Sequence, residues 1–149
     1  MSFVQMKDIV KSMASHSVRL GSTYEDHAEF AGDEELKRCL LEAAALELRL
    51  ATDLSQYLEA TPPRILEVWF QSPGLRQLKG SLRMVEDAQL ETKEDAILLI
   101  KECELVLATL YESLASSMSQ DVRDVFFHLK VFRQQNHRNW VWQANRPMT

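Results

Sequence analysis

Cysteine, glycine and proline are scarce in this chain, whose 149 residues include two Cys, four Gly and four Pro. Two cysteines are too few for a disulfide framework. So few glycines and prolines argue against collagen-like, disordered and all-β classes and favour long helices. No apolar run approaches the roughly 18 residues of a membrane helix, so we expect no membrane span. The N-terminal segment lacks the pattern of a signal peptide, so we expect a cytoplasmic protein.

The composition is that of one ordinary domain covering 1–149, with 46% hydrophobic and 26% charged residues. Basic residues concentrate in the C-terminal segment, which also contains Trp140 and Trp142. Such a segment can indicate nucleic-acid binding. The formal net charge of -5 opposes non-specific binding to nucleic acid, so we expect none. We interpret the basic segment as a helix face that complements the acidic first half, or that meets a partner chain.

Apolar residues recur at helical spacing in four long segments, at about 4–30, 34–59, 94–118 and 122–142. Short breaks separate the first segment from the second and the third from the fourth. The long connection at about 60–93 contains the turn Pro73-Gly74 and a short amphipathic stretch. Four leucine and valine residues define that stretch: Leu75, Leu78, Leu82 and Val85. The pattern predicts an all-α antiparallel four-helix bundle, made of two helical hairpins joined by a long crossover.

The two hairpins repeat at an offset of 87 residues, which aligns Tyr24 with Tyr111. The alternative is that any two amphipathic hairpins of equal length align their apolar positions. The same offset pairs residues that we expect to face the axis of the bundle. Three such pairs carry polar groups: Ser17 with Glu104, Glu47 with Gln134, and Leu50 with His137.

Glu47 and Glu104 are the most informative residues, because both fall on apolar stripes of their helices. A buried glutamate is costly unless it is paired, protonated or bound to a metal ion. One interpretation is therefore a core carboxyl that is protonated or hydrogen-bonded, with Tyr24 or Tyr111 as the partner. The other interpretation is a pair of metal ligands.

These residues stand in a pattern that resembles the rubrerythrin-like branch of the ferritin-like superfamily. The second half carries it as Glu104-x6-Tyr111-x2-Leu114-Ala115 and Phe127-x3-Val131-x2-Gln134-x2-His137. The first half echoes it as Ser17-x6-Tyr24-x3-Ala28 and Leu40-x3-Ala44-x2-Glu47-x2-Leu50. In that family each half supplies one Glu from its first helix and Glu-x-x-His from its second. The resemblance implies a di-iron site that reduces oxygen or peroxide, or that oxidises iron.

Transferred residue by residue, the site is incomplete. Of the four expected Glu the chain keeps Glu47 and Glu104, and of the two expected His it keeps His137. We therefore expect no complete di-iron centre. The resemblance implies either no cofactor or a single iron, manganese or zinc ion, held by Glu47, Glu104, His137 and the amide oxygen of Gln134.

Three functional hypotheses follow from the incomplete site. The first is a non-catalytic or weakly metal-binding protein with an accessory or interaction role, assembled as a homodimer. The second is a non-haem iron or manganese redox protein that uses a reduced Glu/Glu/His site. The third is a binder of a small molecule or a partner helix, using the core space that Ser17 and Leu50 leave in place of larger ligands.

Overall fold

The computed structural model of the chain describes residues 2–72, 74–116 and 120–146, and these are predominantly helical. In chain order the elements are β1 (Ser2–Gln5), α1 (Met6–Glu29), α2 (Glu34–Ala60), α3 (Pro63–Leu66), β2 (Trp69–Ser72), α4 (Arg76–Glu86), α5 (Lys93–Ala115) and α6 (Gln120–Ala144). The predicted all-α class is confirmed. Parts of two predicted features lie outside the described residues: Pro73 of the turn, and 117–118 at the end of the third segment. Within the described ranges, no helix is both long and apolar enough to cross a membrane.

Polar side chains cap the starts of two of the long helices, α2 and α5. The carboxylate of Asp33 accepts a hydrogen bond from the backbone N–H of Leu36, 3.0 Å away, and so caps the start of α2. Thr92 and Asp95 form a capping box at the start of α5, in which each side chain accepts from the backbone of the other. Pro62 and Pro63 follow the end of α2, because proline cannot continue a helix. These signals lie in the sequence, which is why the predicted bounds of α2 and the predicted start of α5 agree closely with the observed ones.

Three contacts define the directions of the long helices. Arg133 of α6 binds Glu47 of α2, and near the opposite ends of these helices Arg38 donates to the carbonyl of Arg146. Helices α2 and α6 are therefore antiparallel. The ammonium of Lys93 lies 3.7 Å from Glu35, so α2 and α5 begin at the same end of the molecule. The connection between them must return along the molecule, and α4 lies on that path, packed against α1 and α5.

One apolar core joins all four long helices and also α4. Its largest fully buried side chains include Tyr24, Phe126, Leu20, Leu40 and Leu110. Helices α1 and α2 approach closely at Gly21, where an added Cβ would lie 3.3 Å from the carbonyl oxygen of Ala44. Glycine at this position lets the first hairpin pack tightly against itself.

Strands β1 and β2 form a small antiparallel sheet that the sequence pattern does not predict. Ser2 pairs with Ser72 and Gln5 with Trp69. On the inner side of this sheet Phe70 is buried, with its ring centroid 6.2 Å from that of Phe126. The sheet therefore attaches the crossover connection to the start of α1 and to the core.

Helix α6 presents a different face to the core from the one that the 87-residue offset predicts. That offset places Phe127 and Gln134 inward, but Phe127 is 60% exposed and Gln134 is only partly buried. The buried residues of α6 are Val122, Val125, Phe126, Leu129, Arg133, Trp140 and Ala144. The inward partner of Glu47 is consequently Arg133, which lies 86 positions further along the chain.

Candidate functional site

The candidate site is an ion cluster in the core, formed by Arg133 of α6, Glu47 of α2 and Glu104 of α5. The Nη2 group of Arg133 donates to Oε1 of Glu47 and to Oε1 of Glu104, both at 2.6 Å. Its Nε donates to the second oxygen of Glu104 at 3.0 Å. Its Nη1 donates to the second oxygen of Glu47 at 3.3 Å. All three guanidinium nitrogens and all four carboxylate oxygens are therefore engaged.

The ion cluster is shielded from solvent. The side chains of Arg133, Glu47 and Glu104 are 7%, 5% and 16% exposed. The planar guanidinium fork matches the geometry of a carboxylate, so one arginine can bind two of them, each through two hydrogen bonds. One positive charge faces two negative charges, which leaves the cluster anionic if both carboxylates are ionised.

The electrostatics of the cluster follow from this burial. Burial disfavours the Arg133 guanidinium, but Glu104 and Glu47 together hold its pKa above the ordinary range. Burial raises the pKa of Glu47, while Arg133 opposes the rise and Ser17 adds a hydrogen bond to the carboxylate. Ser17 therefore brings α1 into contact with a cluster that α2, α5 and α6 form.

Two tyrosines and a cysteine lie near the ion cluster as neutral groups. Burial raises the pKa of Tyr24 and of Tyr111, and the neighbouring carboxylates add to the rise in both. Burial also raises the pKa of Cys103 to about 12, although a hydrogen bond with Tyr24 lowers it slightly. A thiol with so high a pKa stays protonated and is a poor nucleophile.

His137 and Gln134, the other two predicted metal ligands, are not part of the ion cluster. The ring of His137 stacks against Trp140, with centroids 6.2 Å apart and planes inclined by 25°. Burial lowers the pKa of His137 to about 4, and the positive charge of Arg133 contributes. Gln134 is partly buried and lies one position beyond Arg133. The structure thus brings Glu47 and Glu104 together around an arginine that the predicted site did not include.

His16 is a second buried polar group that the sequence pattern missed. Its Nε2 lies 2.8 Å from the hydroxyl of Ser81, so this contact joins α1 to α4. Burial lowers the pKa of His16 to about 4, and the charges of Arg133 and Arg19 lower it further. The imidazole is therefore neutral at physiological pH. The apolar stripe of α1 did not reveal it, because His16 stands beside Ser17 at the edge of that stripe.

Two further tests bear on the candidate site: a search of the described residues for metal-binding groups, and comparison with known proteins. Among the residues that the structure describes, no group of three His, Cys, Asp or Glu side chains could hold a metal ion. Comparison of the chain with family models, with curated proteins and with solved structures finds no match. The functional argument therefore depends on the ion cluster and on the motifs described above.

Proposed function

We propose that this chain is a ferritin-like four-helix bundle protein of the rubrerythrin-like type, in which an arginine has taken the place of the metal ions. Its role is accessory, through interaction, rather than catalytic. The observation that carries the proposal is the set of four hydrogen bonds by which Arg133 engages both Glu47 and Glu104. The helix directions and the long crossover support the fold part of the proposal, since one long connection is typical of ferritin-like bundles.

The residues present do not fit a di-iron centre. Such a centre needs four carboxylates and two imidazoles, and its ions would compete for the same oxygens that Arg133 binds. The guanidinium is always charged in proteins, so it also repels a cation at that position. An arginine between two glutamates thus compensates the same negative charge that metal ions compensate in di-iron bundles.

The alternative is a single iron, manganese or zinc ion bound by Glu47, Glu104, His137 and Gln134. That arrangement requires Arg133 to leave the carboxylates, which would place its charge elsewhere in the core without the present partners. It also requires His137 to turn from its stack on Trp140 towards the cluster. Both movements cost free energy that metal binding would have to supply. We therefore favour the hypothesis of a non-catalytic protein.

Metal analysis tests the proposal directly. The protein is purified without chelator, incubated with excess Fe(II), Mn(II) or Zn(II), desalted and analysed for metal. We expect less than about one tenth of an equivalent to remain, because the carboxylates are already occupied. The control is Glu104→Gln, which removes a carboxylate ligand. About one equivalent in the wild type that disappears in Glu104→Gln would establish the metal alternative instead.

An accessory role requires a partner, and we infer that the first partner is a second copy in the cytoplasm. Large apolar side chains are available on the surface, among them Trp142, which is 67% exposed, and Phe30 and Phe127. Light scattering over a range of concentrations measures the assembly. A mass of two chains is expected, and a monomer throughout would contradict the homodimer while leaving the metal argument unaffected.

A further inference from the structure

A cavity of about 390 Å³ lies between α1 and α4, and its lining contains none of the three residues of the ion cluster. One wall is apolar and comes from α4 and the residue before it, with Leu75, Leu78 and Leu82. Arg19 of α1 and Lys79 of α4 supply positive charge. The volume is within the range of small-molecule sites, which combine apolar walls with a few polar groups.

Specific contacts hold the two walls of this cavity in place. His16, which also lines the cavity, bonds to Ser81 across the gap between α1 and α4. The hydroxyl of Ser81 lies 3.0 Å from the carbonyl of Leu78, on the same turn of α4. Val85 at the end of α4 is fully buried in the core. The cavity is therefore a formed part of the fold.

The charges at the cavity favour an anion. In the described part of the chain neither Arg19 nor Lys79 forms an ion pair, although the protein carries an excess of acidic groups. Both side chains are exposed, so an anion can reach them from solvent. His16 adds no charge, because its pKa of about 4 keeps it neutral at physiological pH.

We propose that this cavity binds a small amphiphilic carboxylate, such as a medium-length acyl chain. The carboxylate lies between Arg19 and Lys79, and the chain packs on Leu75, Leu78 and Leu82. An arginine can bind a carboxylate through two charge-assisted hydrogen bonds. Burial of the acyl chain removes apolar surface of both the ligand and the leucine side chains from water. None of the three cluster residues lines the cavity, so this inference does not depend on the proposed function.

Titration calorimetry with octanoate tests the site in the full chain. We expect one molecule bound per chain, with affinity about tenfold weaker in Arg19→Gln and in Lys79→Gln, since each loses a charge-assisted contact. The matched control is Arg83→Gln, which removes an exposed charge of α4 that does not line the cavity. This variant should bind octanoate as the wild type does, within about twofold. All three substitutions are on the surface, and circular dichroism checks that each variant is folded.

A second ligand separates the contributions of head group and chain. Octanol carries the same chain without the charge and should bind at least about tenfold more weakly than octanoate. Equal affinity for octanol and octanoate, or equal weakening by Arg83→Gln, would overturn the proposed carboxylate site. Absence of any binding heat, together with no change in the nuclear magnetic resonance signal of the His16 ring, would overturn the cavity as a binding site altogether.

Discussion

Arg133 contributes to stability mainly through what its loss would leave behind. Glu47 and Glu104 fall on the same faces of α2 and α5 as the buried apolar residues of those helices. Either helix would therefore have to rotate its apolar residues out of the core to bring the carboxylate fully into solvent. With the guanidinium present, each carboxylate oxygen has a donor. Without it, two buried carboxylates would face each other, and one or both would have to bind a proton.

We therefore expect Arg133→Met to be strongly destabilising. Removing one partner of a buried ion pair typically costs about 3–5 kcal/mol, because the remaining charge stays buried without compensation. Urea unfolding followed by circular dichroism measures the loss. Lys130→Met, which removes a more exposed cation of the same helix that pairs with Glu112, should change stability by less than about 1 kcal/mol. Equal losses in the two variants would show that the cluster adds little beyond a surface ion pair.

The low pKa of His16 in the folded protein leads to a prediction of how the free energy of unfolding depends on pH. Its pKa is about 4 in the folded protein and 6.5 in the unfolded chain, so the unfolded chain binds the proton more readily as pH falls. The contribution of His16 to stability is therefore intact above pH 6.5 and is lost progressively between about 6.5 and 4. For this one proton the slope reaches at most about 1.4 kcal/mol per pH unit.

Unfolding curves of the wild type and His16→Gln between pH 7 and 4 test this dependence. The variant should lose less free energy of unfolding over this interval, since glutamine does not titrate and can still hydrogen-bond to Ser81. His128→Gln, at an exposed position of α6, is the matched control and should follow the wild type. Parallel curves for the wild type and His16→Gln would contradict the assignment.

At the scale of elements, hydrophobic periodicity and capping residues are sufficient to predict the positions of most of the helices from the sequence. The amphipathic stretch that Leu75, Leu78, Leu82 and Val85 define forms the short helix α4, Arg76–Glu86. Strands β1 and β2 were not predicted, because four residues are too few for an alternating pattern and their pairing depends on distant segments. Their position against Phe126 is a tertiary effect that no local pattern contains.

Helix α6 shows where sequence reasoning about the site failed. Adjacent aromatic residues, Phe126 and Phe127, make both sides of this helix apolar, so periodicity alone does not select a face. The 87-residue offset favours Gln134 as the inward residue, so the prediction does not place Arg133 in the core. The inward positions of Glu47 and Glu104 could be predicted from their own stripes, but their partner depended on a rotation of α6 by one residue. A pair of buried glutamates needs a compensating positive charge, and an arginine on a facing helix can supply it in place of a metal ion.

The cap that Asp33 forms at the start of α2 leads to a prediction about the free energy of unfolding. Asp33→Ala removes the side chain that accepts from the backbone N–H of Leu36 at the start of α2. We expect a loss of about 1 kcal/mol in the free energy of unfolding, measured by urea titration. Asp53→Ala, in the exposed middle of the same helix, has no capping role and should be close to neutral. A larger loss in Asp53→Ala than in Asp33→Ala would contradict the assigned cap.

At the scale of the whole molecule, the ion cluster connects the two hairpins. Glu47 belongs to the first hairpin, whereas Glu104 and Arg133 belong to the second. Two hydrogen bonds from Arg133 to Glu47 join α6 to α2, and two to Glu104 join α6 to α5. These directional bonds fix the rotation and the axial position of α6 more narrowly than leucine contacts can, since apolar packing tolerates exchange among residues of similar volume. The cluster therefore specifies how the hairpins align, and its contribution to net stability is a separate question.

Replacing all three charged residues by methionine separates alignment from stability. Desolvation of a buried ion cluster offsets much of its attraction, so the triple variant Glu47→Met, Glu104→Met, Arg133→Met should be as stable as the wild type or more stable by roughly 1–4 kcal/mol. The single variant Arg133→Met should be much less stable than either, because it alone leaves unpaired charges in the core. Urea unfolding gives the three free energies, and the dispersion of amide signals in nuclear magnetic resonance spectra reports whether one hairpin alignment persists. A triple variant as unstable as Arg133→Met would show that the cluster itself stabilises the fold, whereas a stable variant with broadened signals would show that the charges select one alignment among several.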